Sequence, residues 1–123
     1  MKIGDIKFKA IRLDNEEWVE GSFVVMNITA ISKTTIGIVA EGCATLFEVD
    51  PSTVCQYTGL KDKNGTPIYE GDIVIYKDNN AERRDIIVWD NKSIAFCFGY
   101  GFFLCHFPSE NMVVVGNKFD NKK

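Results

Sequence analysis

The chain has 123 residues, 46% hydrophobic and 25% charged, the make-up expected of a globular protein of one domain or two very small ones. Acids outnumber bases, 17 to 14, for a net charge of −3, which argues against the clustered phosphate neutralisation that non-specific nucleic-acid binding needs. No apolar run approaches the ~20 residues that span a bilayer, and the N-terminal MKIGDIKFKA lacks a secretory signal's apolar stretch, so a cytoplasmic location is expected.

In that compartment Cys43, Cys55, Cys97 and Cys105 are expected to be free thiols. No long segment repeats apolar residues at helical spacing between caps. Short runs of Val, Ile, Phe and Tyr alternate instead with Gly, Asn and Asp, which predicts an all-β chain of short strands and tight turns.

The first half, residues 1–55, predicts four strands. Residues 5–12 put Ile6, Phe8 and Ala10 on one face and Lys7 and Lys9 on the other. A turn at Asp14-Asn15-Glu16 leads to residues 18–27, with Gly21 expected as a bulge. Residues 35–41 and 44–49 form a hairpin across Glu41-Gly42. Asp50 then caps a single helical turn that opens on Pro51.

The stretch 56–72 is a connecting segment dense in turn formers. Asn64-Gly65 signals a tight turn, because both residues tolerate positive φ. Pro67 pushes Thr66 toward an extended conformation. Gly71 supplies a corner, and Asp72 can accept from local backbone N–H groups. Tyr57 and Tyr69 are expected to pack at its two ends, making the segment a stiff joint.

The second half predicts five strands, at 72–77, 85–90, 94–98, 102–107 and 112–119, with a 3₁₀ turn at Pro108-Ser109-Glu110-Asn111 before the last. Asp90-Asn91-Lys92-Ser93 is a polar hairpin loop, and Gly99-Tyr100-Gly101 a tight one. Five short strands with that turn are the layout of an SH3-like barrel over residues 73–119. The tail, 120–123, is polar and expected to fray.

QYTGLKDKNG followed by YEGDIV resembles the signature of the YopX-like proteins of bacteriophages and prophages. The signature positions here are Gln56, Tyr57, Thr58, Gly59, Leu60, Asn64, Gly65, Tyr69, Glu70, Gly71 and Asp72. Lys7-Phe8-Lys9-Ala10 and Glu17-Trp18-Val19-Glu20-Gly21 are similar to the family's first two strands, the run from Glu48 to Val54 to what precedes the signature, and Val114-Val115-Gly116-Asn117 to its close. Cys55 stands where a small residue is usual, and residues 27–35 match nothing in the family pattern. The resemblance implies an N-terminal four-strand meander packed on a C-terminal five-strand SH3-like barrel, in a phage or prophage accessory protein within a bacterial host. It implies no catalytic role for any signature residue.

The chemistry-bearing residues point the same way. Cys97 and Cys105 can face each other across residues 99–101, but His106 points away from its neighbour Cys105, so no metal site is expected. A Cys97–His106 dyad needs a special register in what reads as an ordinary core pattern. Glu70 and Asp72 flank a turn and do not pair as acid and base. The glycines at 99 and 101 precede no helix that would hold a phosphate. Neither catalysis nor a cofactor is expected.

Small barrels often bind nucleic acid through aromatics beside basic residues. Tyr57, Tyr69, Tyr76 and Tyr100 with Lys61, Lys63, Arg83 and Arg84 are the candidates for that alternative. Asp62, Glu82 and Asp85 interrupt them, as on a charge-balanced surface. The stronger signal is apolar character on both faces of the later strands, at Trp89, Phe96, Phe98, Phe102 and Phe103. Such strands need an outer cover: the first half of the chain, a second copy, or another protein. The leading expectation is a binding module acting through self-association or protein–protein contact.

Overall fold

A computed structural model describes residues 2–99, 104 and 108–120. It has ten β-strands and short 3₁₀ turns, with no α-helix among the described residues. All strand pairings among the described residues are antiparallel. The chain divides into two compact units, the first ending at Gln56 and the second starting at Tyr57.

The first unit contains β1 (Phe8–Ile11), β2 (Trp18–Ile28), β3 (Lys33–Ala40) and β4 (Leu46–Glu48), in the order β4-β3-β2-β1. Cys55 and Gln56, which open β5 (Cys55–Lys61), pair with Lys9 and Phe8 of β1. Ala10, Val19, Ile38 and Val49 form the core, with Phe8, Ile36, Ala40, Phe47 and Val54 packed on it. The expected turn at Asp50 is present. Its carboxylate accepts from the Ser52 N–H at 3.0 Å, and the turn Pro51–Thr53 buries Thr53, whose hydroxyl accepts from the Ile11 N–H at 2.9 Å.

Gly21 is not a bulge. It pairs with Phe8 on one side and Ala40 on the other without a register shift. Its role is close approach: a methyl group there would collide with the Val39 carbonyl oxygen.

The second unit holds the rest of β5, β6 (Pro67–Tyr69), β7 (Asp72–Asp78), β8 (Ala81–Asp90), β9 (Ala95–Phe98) and β10 (Val113–Asn117). The expected joint is thus a hairpin, β5 to β6, with Tyr57 opposite Tyr69 and Lys61 opposite Pro67. Asn79 and Asn80, both at positive φ, close a two-residue hairpin that carries β7 and β8 to their very ends. β7 to β10 run in the open order β10-β7-β8-β9, so no closed barrel is formed among the described residues. The fourth expected strand, 102–107, lies outside them except for Leu104, which is buried. Ile68, Val74, Tyr76, Ile87, Phe98, Leu104 and Met112 make the core. Tyr76 stacks on Phe98 with ring centroids 4.2 Å apart. Asp120, expected to be frayed, accepts from the Asn117 N–H at 2.8 Å.

Gly21→Ala is expected to cost about 1–3 kcal/mol, because the added carbon meets backbone that cannot yield without parting β2 from β3. Urea unfolding of the two proteins checks this.

Candidate functional site

The signature stretch is built around two buried carboxylates. Lys63 to Gly65 turn the β5–β6 hairpin, with the Gly65 N–H donating to the Asp62 carbonyl at 3.0 Å and Gly65 at φ +80°. Only Gly65 needs the left-handed region; Asn64 does not. Asp62 lies inside this turn. Its Oδ1 accepts from the Asn64 and Thr66 N–H groups at 2.8 and 2.9 Å, and its Oδ2 from the Val114 N–H of β10 at 2.9 Å. One side chain therefore closes the turn and ties it to a strand 52 residues away.

Asp72 does the same at the other end. Its Oδ2 accepts from the Tyr69 N–H at 2.8 Å, and its Oδ1 from the Asn117 side-chain amide at 2.9 Å. Both side chains are buried. Between Tyr69 and Asp72 the chain turns through Gly71 at φ +86°, whose N–H donates to the Ile87 carbonyl and whose carbonyl accepts from the Lys118 N–H.

The other signature residues are mostly engaged in the same framework. Tyr57 and Tyr69 are buried, with centroids 5.5 Å apart across the hairpin rather than at the ends of a joint. The Thr58 hydroxyl donates to the Ile68 carbonyl at 2.7 Å and accepts from the Leu60 N–H at 3.2 Å. Gly59 sits at φ +89°, and Leu60 packs on the core. Gln56 and Asn64 are exposed and Glu70 is half-buried.

Burial pushes the Asp62 carboxyl up, and the N–H donations from Val114, Thr66 and Asn64 outweigh it, holding the group below the usual carboxylate range. Asp62 and Asn117 were not legible as partners, although an Asp two residues before Asn-Gly is an Asx-turn signal.

The four basic candidates do not converge. Lys63 lines a groove of about 390 Å³ with Ile75, Tyr76, Lys77, Glu82, Asn111 and Val113, a lining of mixed charge. Arg83 lies opposite Tyr76 and Arg84 opposite Ile75, so the two point to opposite faces of β8. Lys61 ends β5. Tyr57, Tyr69 and Tyr76 are buried and offer no stacking platform for bases, and Tyr100 lies outside the described residues.

The apolar candidates divide as well. Phe98 is fully buried and unavailable to a partner, because it lies opposite Ile87 on the core face. Cys97, on the opposite face of β9, is also buried, so both faces are covered there within one chain. Phe96 is half-buried. Trp89 is 39% exposed and meets Phe96 edge-on, centroids 5.0 Å apart. The Trp89 indole N–H donates to Asn91 Oδ1 at 2.8 Å, which fixes the ring at the mouth of the loop. Asp90 holds that loop, accepting from the Ser93 hydroxyl at 2.6 Å and the Lys92 N–H at 3.2 Å, and these donors lower its pKa. Ile94 closes the loop at φ +52° and is 75% exposed. A β-branched residue in that region is strained. Phe102 and Phe103 lie outside the described residues, as do Cys105 and His106, so the Cys97–Cys105 and Cys97–His106 pairings do too. Among the described residues no three His, Cys, Asp or Glu side chains assemble as metal ligands. No described helix is long and apolar enough to cross a membrane.

A family model described as YopX protein matches residues 7–123. The chain belongs to the YopX family. The signature residues of this YopX chain are thus those that build the β5–β6 hairpin and bind it to β10. Among solved structures, the crystal structure of protein EF1440 from Enterococcus faecalis is similar at 22% identity, covering 96% of each chain with a TM-score of 0.57. At that identity it supports the fold alone. No curated protein sequence matches the chain.

Asp62→Asn is expected to cost about 1.5–3 kcal/mol at neutral pH, because the Val114 N–H loses a charged acceptor and faces an amide instead. The sign follows from a folded pKa below the unfolded one. The contribution is complete above the unfolded value of ~3.9 and is lost as pH falls through the lower folded value. Denaturant midpoints in an acid series should fall less steeply for the variant; parallel slopes would contradict the assignment.

Proposed function

We propose that this YopX family chain is a non-catalytic phage or prophage accessory protein, working in the cytoplasm of a bacterial host by binding a protein partner or a second copy of itself. The observation that carries this is the corner at the end of β8 and β9. There Ile94, strained and exposed, stands beside the half-open Trp89–Phe96 pair. Strain of this kind costs on the order of 1–3 kcal/mol and concentrates where a surface has a task. Exposed aromatics of this size are typical anchors of protein interfaces.

Support for a role outside catalysis comes from the signature. Its Asp72 carboxylate and Thr58 hydroxyl, with Asp62, bind main chain or buried side chain, and its tyrosines are interior. For the second unit, the order β10-β7-β8-β9 and the 3₁₀ turn Ser109–Asn111 before β10 support the SH3-like reading. Nucleic-acid binding, the alternative, finds diverging arginines and buried tyrosines.

Ile94→Asn is expected to raise stability by about 1 kcal/mol, since Asn tolerates the left-handed region, and to weaken binding. Trp89→Lys is expected to abolish self-association or partner capture while the thermal midpoint stays within a few degrees. Light scattering and affinity capture on the full chain check both. Binding untouched by either substitution would remove the corner from the account. Low-salt binding to DNA or RNA that is lost when Lys61, Lys63, Arg83 and Arg84 become Ala would establish the alternative instead.

A further inference from the structure

Residues 22–40 contain a single charged side chain, Lys33, in a chain that is 25% charged. The structure gives this stretch an unusual position. β1 pairs with β2 only over Trp18 to Gly21, and β4 pairs with β3 only over Gly37 to Val39. Beyond those points β2 and β3 pair with each other, from Val25 opposite Ile36 to Ile28 opposite Lys33, and no other described strand joins them. The outer edge of β2 over residues 22–28 therefore has no strand beside it among the described residues.

This edge lacks three of the usual guards: charge, proline and a bulge. Natural edge strands are blunted by lysine, proline, a bulge or a cover. Residues 22–28 include no charge and no proline, and their register with β3 is unbroken. Both faces of the ribbon are apolar and open. Phe23 and Val25 share one face, with Val25 50% exposed; Met26 and Ile28 share the other, with Met26 45% exposed. Asn27 and Thr34 bond across the ribbon at 2.9 Å, so it keeps its pairing to the end.

We propose that the outer edge of β2 over residues 22–28 is a self-recognition edge, which pairs antiparallel with the same edge of a second copy. The result is a continuous sheet β3-β2-β2-β3 about a two-fold axis. This rests on the reading of the chain as a binding protein, and it names the occupant for residues other than the Trp89 corner. Three features select a second copy over another occupant. Two identical antiparallel edges form the self-complementary contact of a two-fold dimer. A charge-free edge meets its own copy without like-charge repulsion, although the whole chain is acidic. A partner chosen by charge would find none to complement. The seven residues of this edge span ~23 Å, at ~3.3 Å each, enough for a ladder of main-chain bonds flanked by apolar contacts on both faces.

The experiment is sedimentation of the full chain over a concentration series, beside the double variant V25K/M26K, with hydrogen exchange on the wild-type chain at low and high concentration. Both residues are exposed, so the variant is expected to keep its thermal midpoint. A wild-type dimer is expected, with concentration-dependent protection of amides in 22–28, and at least ~tenfold weaker association in the variant, where like charges face each other. Exchange needs no variant, so a folding defect would not blunt the test. A wild-type chain that stays monomeric, or a dimer with no added protection in 22–28, overturns the edge. A dimer broken by Trp89→Lys and not by V25K/M26K overturns it too, and leaves the binding reading standing.

Discussion

Two carboxylates organise the second unit. A buried polar group is costly unless hydrogen bonds replace its water, and Asp62 and Asp72 meet that demand with main-chain and side-chain N–H donors drawn from both ends of the unit. The hairpin β5–β6 supplies the near donors and β10 the far ones. The aspartates fix where a local turn meets a strand formed from the far end of the chain. Tyr57 and Tyr69, both buried, pack ring against ring across the hairpin, and Gly71 lets the main chain pass close to Ile87 and Lys118. Most residues of the most recognisable run of the sequence thus take part in the framework of this unit.

That assignment changes where function is sought. If the signature builds the scaffold, the working surfaces are those the scaffold presents. The described residues offer two with a physical anomaly. One is the loop at Ile94, where an apolar side chain is held in a strained backbone beside an open indole. The other is the bare ribbon of β2 and β3, where an uncharged edge goes without a neighbour. Neither is explained by packing within the chain, since burial contributes little at exposed positions. Anomalies of this kind belong to recognition more readily than to catalysis, which needs converging polar groups.

The strand plan was largely legible, because alternation and turn residues act locally. Residues 18–27, 35–41 and 72–77 coincide closely with β2, β3 and β7, and Asp50 caps its turn as its chemistry dictates. Misses fall where local signals compete. The density of turn formers in 56–72 hid two strands, since Gly59, Asn64 and Gly65 read as loop while Tyr57 and Tyr69 pair across it. Asn79-Asn80 carried a hairpin signal that went unread, which left β8 short by four residues. Phe98 reads as surface-capable on an apolar strand, and only its place opposite Ile87 buries it.

By itself the sequence determined the all-β class, the turn positions at Asp50 and Gly65 and the family, because each depends on residues near one another along the chain. Which carboxylates are buried, which aromatics face solvent and which strand edge stays open were decided by tertiary structure alone. Those properties depend on partners such as Asp62 and Val114, 52 residues apart, and no local pattern encodes which distant amide will arrive to satisfy a charge.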